Sequence, residues 1–136
     1  MRTVIVAAAV LVEGGKVLLS RRKAGTHLAG LWEFPGGKAE PGEDPRAALR
    51  RELEEELGIA TRIGEIVDVA FHCYADADKS VLLLFFEAVR EAGSPEPRAI
   101  DVAEVAWRGA GELDASKFPP ADLSVLAKVQ RRLSGA

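Results

Sequence analysis

The sequence predicts an α/β fold in which a mixed sheet lies between helices. Three observations carry this. Two long apolar runs, Val4–Val12 and Ser80–Val89, have the continuous hydrophobicity of strands covered on both faces. A leucine repeat at Leu49, Leu53 and Leu57 marks a helix with one apolar stripe. A second amphipathic segment follows the rigid Phe118-Pro119-Pro120 near the C-terminus.

In chain order, Glu13-Gly14-Gly15-Lys16 reads as a tight hairpin turn, since paired glycines accept the positive φ such turns need. Val17 to Arg22 returns as the partner strand. Lys23 to Leu31 is a loop with Gly25 and Gly30 as breakers and His27 between them, and Trp32-Glu33-Phe34 is a short strand. Gly36 to Glu43 reads as a glycine-rich loop. Asp44 caps the first helix and Pro45 fits its first position, while Gly58 stops it in a left-handed conformation. Thr61 to Ala75 is mostly extended, and Ala75 to Lys79 is a turn. Val102 to Trp107 suggests a last strand. In the final helix Leu123, Leu126, Ala127 and Leu133 are expected to face the core, with Arg131 and Arg132 at the negative end of the dipole. The total is two helices and about six strands.

The 136 residues suit one domain, residues 1–136, with a core of its own. Apolar residues at 48% and charged ones at 29% describe an ordinary soluble chain, and a net charge of −3 argues against a nonspecific nucleic-acid binder. The apolar opening is too short to span a bilayer, so no membrane association is expected. Lone Cys73 excludes an internal disulfide framework and is compatible with a cytoplasmic location. It is expected to be a buried or half-buried sheet thiol. The oligomeric state, monomer or homodimer, stays open.

The chemistry concentrates between Gly36 and Ile59. At about 100° per residue, with Glu52 at zero, Glu55 falls at about 300° and Glu56 at about 40°. Three carboxylates thus share a helix face. Such repulsion, roughly 0.2–0.5 kcal/mol per pair, is offset by a hard divalent cation with oxygen ligands, or is borne by a merely solvated face.

The spacing decides between them. Gly37, five residues, Glu43, seven residues, Arg51-Glu52, Leu53, one residue, Glu55-Glu56, one residue, Gly58-Ile59 resembles the Nudix box at every defined position. Trp32 to Lys38 is similar to the MutT branch of that superfamily. The resemblance implies the Nudix α/β/α sandwich and a Mg²⁺-dependent hydrolase (Mn²⁺ able to substitute). Its substrate would be a nucleoside triphosphate, cleaved to the monophosphate and pyrophosphate. It implies metal ligation by Glu52, Glu55, Glu56 and the Gly36 carbonyl, with Glu52 or a later carboxylate as general base. Glu96, Asp101 and Glu104 are the later candidates. Glu43 and Arg51 fall on the remaining charged positions, as a structural brace or as catalytic groups.

By the same resemblance Arg22 contacts phosphate or nucleotide, and Phe34 and Tyr74 border the base. Arg22 also reads as a surface cation, and the aromatics as core. Asp122 stands where the MutT pattern has asparagine. Ionised, it would only accept hydrogen bonds, which puts strict 8-oxoguanine preference in doubt and raises cytidine nucleotides. It also reads as a helix N-cap. The substrate order is therefore 8-oxo-dGTP-type purines, then CTP, dCTP or 5-methyl-dCTP. A dinucleoside polyphosphate and a non-catalytic nucleotide-binding module are the remaining readings.

Overall fold

The computed structural model describes residues 1–135. Its strands are β1 (Arg2–Glu13), β2 (Lys16–Arg21), β3 (Trp32–Glu33), β4 (Gly36–Lys38), β5 (Thr61–Tyr74), β6 (Lys79–Arg90) and β7 (Glu104–Arg108). Its helices are α1 (Pro45–Leu57) and α2 (Leu123–Leu133). Short 3-10 turns at Ala75–Ala77, Ala110–Glu112, Ala115–Lys117 and Pro120–Asp122 link them. The seven strands run β3-β2-β1-β6-β5, with β4 added to β1 and β7 to β2. β1 and β6 are parallel and the other pairs antiparallel, so the sheet is mixed.

Alternation along β1 sends its side chains to two cores. Ala7, Ala9 and Leu11 pack with Leu49, Leu53 and Leu57 of α1. Ala8 and Val10 join Phe34, Phe85, Phe118 and the α2 residues Val125 and Val129 on the opposite face. The expected α/β/α layering is present. Alanines in the middle of β1 let α1 lie close to the sheet, which brings its acidic turn beside β4.

Three expectations are corrected. The Gly36–Lys38 segment, read as loop, is β4, because its glycine backbone pairs with Val6–Ala8 without any side-chain signal. The buried stripe of α2 is Val125, Leu126 and Val129, with Leu133 half-buried. Leu123 and Ala127 are exposed, since the helix continues from the Pro120–Asp122 turn with Asp122, not Leu123, facing inward. Cys73 is exposed rather than buried, because β5 is an edge strand.

Candidate active site

α1 begins and ends as its sequence dictates. The Asp44 side chain accepts from the Arg46 amide, Pro45 opens the helix, and Gly58 closes it at φ 71°. The last carbonyls are then covered from outside. The Ile100 and Asp101 amides donate to the Glu56 carbonyl at 3.0 and 3.1 Å, and the Arg98 amide to Leu57 at 2.9 Å. The turn carrying Glu55 and Glu56 is therefore fixed at its backbone as well as by packing.

Arg51 organises the acids around it. Its Nε and Nη2 donate to Glu43 at 2.9 Å each, its Nη1 to Glu52 at 3.0 Å and to Glu55 at 3.3 Å. The Arg51 fork, with the Glu40 amide, holds the Glu43 carboxyl down at about 2. The expected loop-to-helix brace is thus present in the geometry. Glu55 is turned toward Arg51 and its side chain is 58% exposed. Glu56 is drawn inward beside Glu52. Burial, then the Glu52 charge and a hydrogen bond to it, push the Glu56 carboxyl up to about 8; Glu33 and Asp101 contribute further. Two carboxylates converge rather than three. Among the described residues no group of three acids, histidines or cysteines forms a ready metal cage.

The glycines make room. A Cβ at Gly36 would overlap the Ala7 carbonyl and lie 2.8 Å from the Ala8 Cα, and one at Gly37 would strike the end of the Glu52 side chain. The donor set fits a divalent cation. Two adjacent carboxyls, Glu56 disfavoured as an anion by burial and then by Glu52, are relieved by positive charge, and Mg²⁺ needs only one or two protein carboxylates beside substrate phosphates.

From this acidic end a cleft of about 370 Å³ runs across the sheet toward α2. Val6, Ala8, Val81, Leu83 and Phe34 form its apolar floor, and Arg22, Lys38 and Lys79 supply positive charge. Arg22 is fixed by its Nε donating to the His27 carbonyl at 2.6 Å and by Nη1 donating to Glu33 at 3.0 Å. Phe34 does two jobs at once: 3% exposed, it packs edge-on against Phe85 and also walls the cleft. Tyr74 and His27, edge-to-face at 5.0 Å, border a smaller continuation of the same space.

Asp122 closes the far end. It is 4% exposed, and its side chain makes no capping bond to α2, so the N-cap expectation fails. Burial, and next the Glu33 charge, push its carboxyl up to about 8 despite the Phe34 amide and Arg22. In its protonated form it can donate as well as accept, as asparagine does.

Glu33 escaped the sequence reading. It lines the cleft between Asp122 and Glu56 and raises the proton affinity of both. The signal was an acid flanked by two aromatics just before the glycine pair. Lys38 and Lys79 were likewise unmarked. Of the three later acids, Asp101 is ion-paired with Lys23 and its charge reaches Glu56. Glu96 and Glu104 are held in surface pairs with Arg90 and Arg21.

A mixed sheet between helices, with an acidic turn at one end of a polar-rimmed cleft, defines a phosphoanhydride hydrolase scaffold. The NUDIX domain model matches residues 1–129, and the chain belongs to the Nudix family of hydrolases. It is 36% identical over 119 residues to the 8-oxo-dGTP diphosphatase of Escherichia coli, covering 88% of this chain and 89% of that one. It is 54% identical over 67 residues to the CTP pyrophosphohydrolase of Escherichia coli, a match spanning only 49% of this chain and 50% of that one. The crystal structure of a MutT NUDIX hydrolase from Burkholderia pseudomallei is similar at a TM-score of 0.81 and 29% identity, covering 95% of this chain and 99% of that one. No helix among the described residues is long and apolar enough to cross a membrane.

Proposed function

We propose that this chain is a single-domain, cytoplasmic, Mg²⁺-dependent nucleoside triphosphate pyrophosphohydrolase that removes damaged nucleotides from the pool, with 8-oxo-dGTP-type substrates favoured. The observation that carries the reading is one continuous cleft joining the Glu52–Glu56 pair to the buried Asp122. Its length of polar groups, apolar floor and polar end suit phosphates, sugar and base in that order.

Glu52, Glu56 and the Gly36 carbonyl would hold the metal, with Glu55 joining on release from Arg51. Bound there, Mg²⁺ would neutralise phosphate charge and would make a coordinated water easier to deprotonate. The chain's own groups do the rest. Lys38, Lys79 and Arg22 offset triphosphate charge, and positioning plus electrostatics dominate such reactions. Arg51, tied to Glu43, keeps Glu52 in place. Glu52 is one candidate to take the proton of the attacking water. Asp101 is the other, supported by its charge reaching Glu56.

Protonated Asp122 offers a donor and an acceptor to a purine face, so its departure from asparagine does not count against an 8-oxoguanine base. A cytidine reading is favoured by the half-length match to the CTP pyrophosphohydrolase. It is supported as well by Glu33, an acceptor for an exocyclic amine. The test is a nucleotide panel with Mg²⁺, comparing kcat/KM and identifying products. Pyrophosphate release that is abolished by chelation and by Glu56→Gln is expected. Chelator-resistant turnover, or orthophosphate as the first product, refutes the reading.

A further inference from the structure

At the base end of the cleft Arg22 and Lys79 share the space with Glu33 and Asp122, yet Asp122 is in no ion pair among the described residues. Asp122 is 4% exposed; the Phe34 amide is the donor at its carboxyl, and no cation is paired with it among the described residues. The nearest cation, Arg22, is already committed: its Nη1 reaches both Glu33 oxygens, at 3.0 and 3.4 Å, and its Nε is held by the His27 carbonyl. One guanidinium therefore faces the half-buried Glu33 carboxyl and the buried Asp122 carboxyl. Burial raises the proton affinity of both, each being disfavoured as an anion. The walls beside them are aromatic, Phe34 in the cleft and Tyr74 in its continuation. Ring faces attract cations. The apolar floor, Val6, Val81 and Leu83, leaves space for an added alkyl group without stranding a polar atom.

We propose that this end of the cleft selects nucleoside triphosphates whose base carries a positive charge, the class made by N-alkylation of a base ring nitrogen. A cationic base supplies the missing countercharge: it binds Asp122 as a carboxylate through a charge-assisted hydrogen bond, roughly twice as strong as a neutral one. A neutral base meets Asp122 only in its protonated form and gains no ionic contact. The inference rests on the proposed nucleotide hydrolase activity and adds a cationic class of base to the neutral purines that the same site would take. It adds no chemical step, since the cleaved bond is the same.

The test compares 3-methyl-dCTP, cationic at neutral pH, with 5-methyl-dCTP, a neutral isomer of equal size, with Mg²⁺ and wild-type protein. The expected ratio of kcat/KM is at least about tenfold in favour of the cation, about 1.4 kcal/mol of discrimination. Asp122→Asn, which keeps the shape, should collapse the ratio toward one. Glu33→Gln should invert it, because it frees Arg22 to repel the cation. Calorimetric binding of the two monophosphates without metal should follow the same order. A ratio near one in the wild type, or a ratio that survives Asp122→Asn, overturns the inference while leaving the hydrolase intact. Metal-free binding that favours the cation in a protein turning over no nucleotide would overturn the hydrolase reading alone. Absence of both overturns the two together.

Discussion

Replacing Glu56 by glutamine should stabilise the metal-free protein at high pH. In the folded chain the Glu56 carboxyl is pushed from 4.5 to about 8, first by burial and then by Glu52. The unfolded chain has no such constraint. Between about pH 4.5 and 8 the native state therefore holds a proton that the unfolded state has lost, so stability falls as pH rises through this window. At about 1.4 kcal/mol per pH unit the full rise would correspond to an upper bound of about 5 kcal/mol. Partial exposure to water and sharing of the proton with Glu52 reduce this to about 2 kcal/mol. Asp122, also raised to about 8, adds a dependence of the same sign, so the difference between variant and wild type is the informative quantity. Urea unfolding in EDTA at pH 6 and pH 9 measures it. This interval covers only the upper part of the window, so the wild type should lose about 1 kcal/mol more than Glu56→Gln between the two conditions. Parallel losses would show that Glu56 is not strained by its surroundings, and the argument for a metal-seeking pair would fail with it.

Other substitutions separate folding from function. Gly37→Ala pushes aside only the movable end of Glu52, so Tm should change by a few degrees at most while Mn²⁺ affinity, followed by electron paramagnetic resonance, drops about tenfold or more. Gly36→Ala drives a methyl into the Ala7 backbone and should lower the yield of folded protein; a well-folded Gly36→Ala would contradict the close approach of β4 to β1. Arg51→Lys cannot reproduce the two-toothed contact with Glu43, and kcat should fall by more than KM rises; wild-type kcat would make the brace dispensable.

What was legible in the sequence was what is locally determined. Asp44, Pro45 and Gly58 bound α1 because capping depends on a few neighbouring residues. Leu49, Leu53 and Leu57 are buried because one helix face has one period. Glu43 and Arg51 meet because eight residues of loop and helix suffice to bring them together. What was hidden depends on partners far along the chain. β4 exists only because β1 lies beside it, and β5 carries two irregularities in its pairing with β6 that no local pattern announces. Asp122 looked like a cap because its sequence neighbours make a cap; Glu33 and Phe34, almost ninety residues earlier, make it part of a cleft. Periodicity could not say which side of α2 the sheet would cover.

The acidic turn makes sense only when its local cost is set against a ligand. Helices favour positive charge in the last turn, where unpaired carbonyls concentrate negative potential. The last turn of α1 has no basic residue and carries Glu54, Glu55 and Glu56 instead. Arg51 relieves part of this from one turn earlier, and the amides of Arg98, Ile100 and Asp101 occupy the end carbonyls. Arg51 also reaches Glu52, but neither it nor those amides neutralises the Glu56 carboxyl, which stays costly to ionise beside Glu52 while packing and backbone bonds hold it in place. A sequence under selection for stability alone would lose that contact readily, since any neutral residue at Glu56 removes it. A contact that opposes folding, held rigid on a glycine-cleared floor at one end of a cleft, is the form expected where local rules yield to a bound cation.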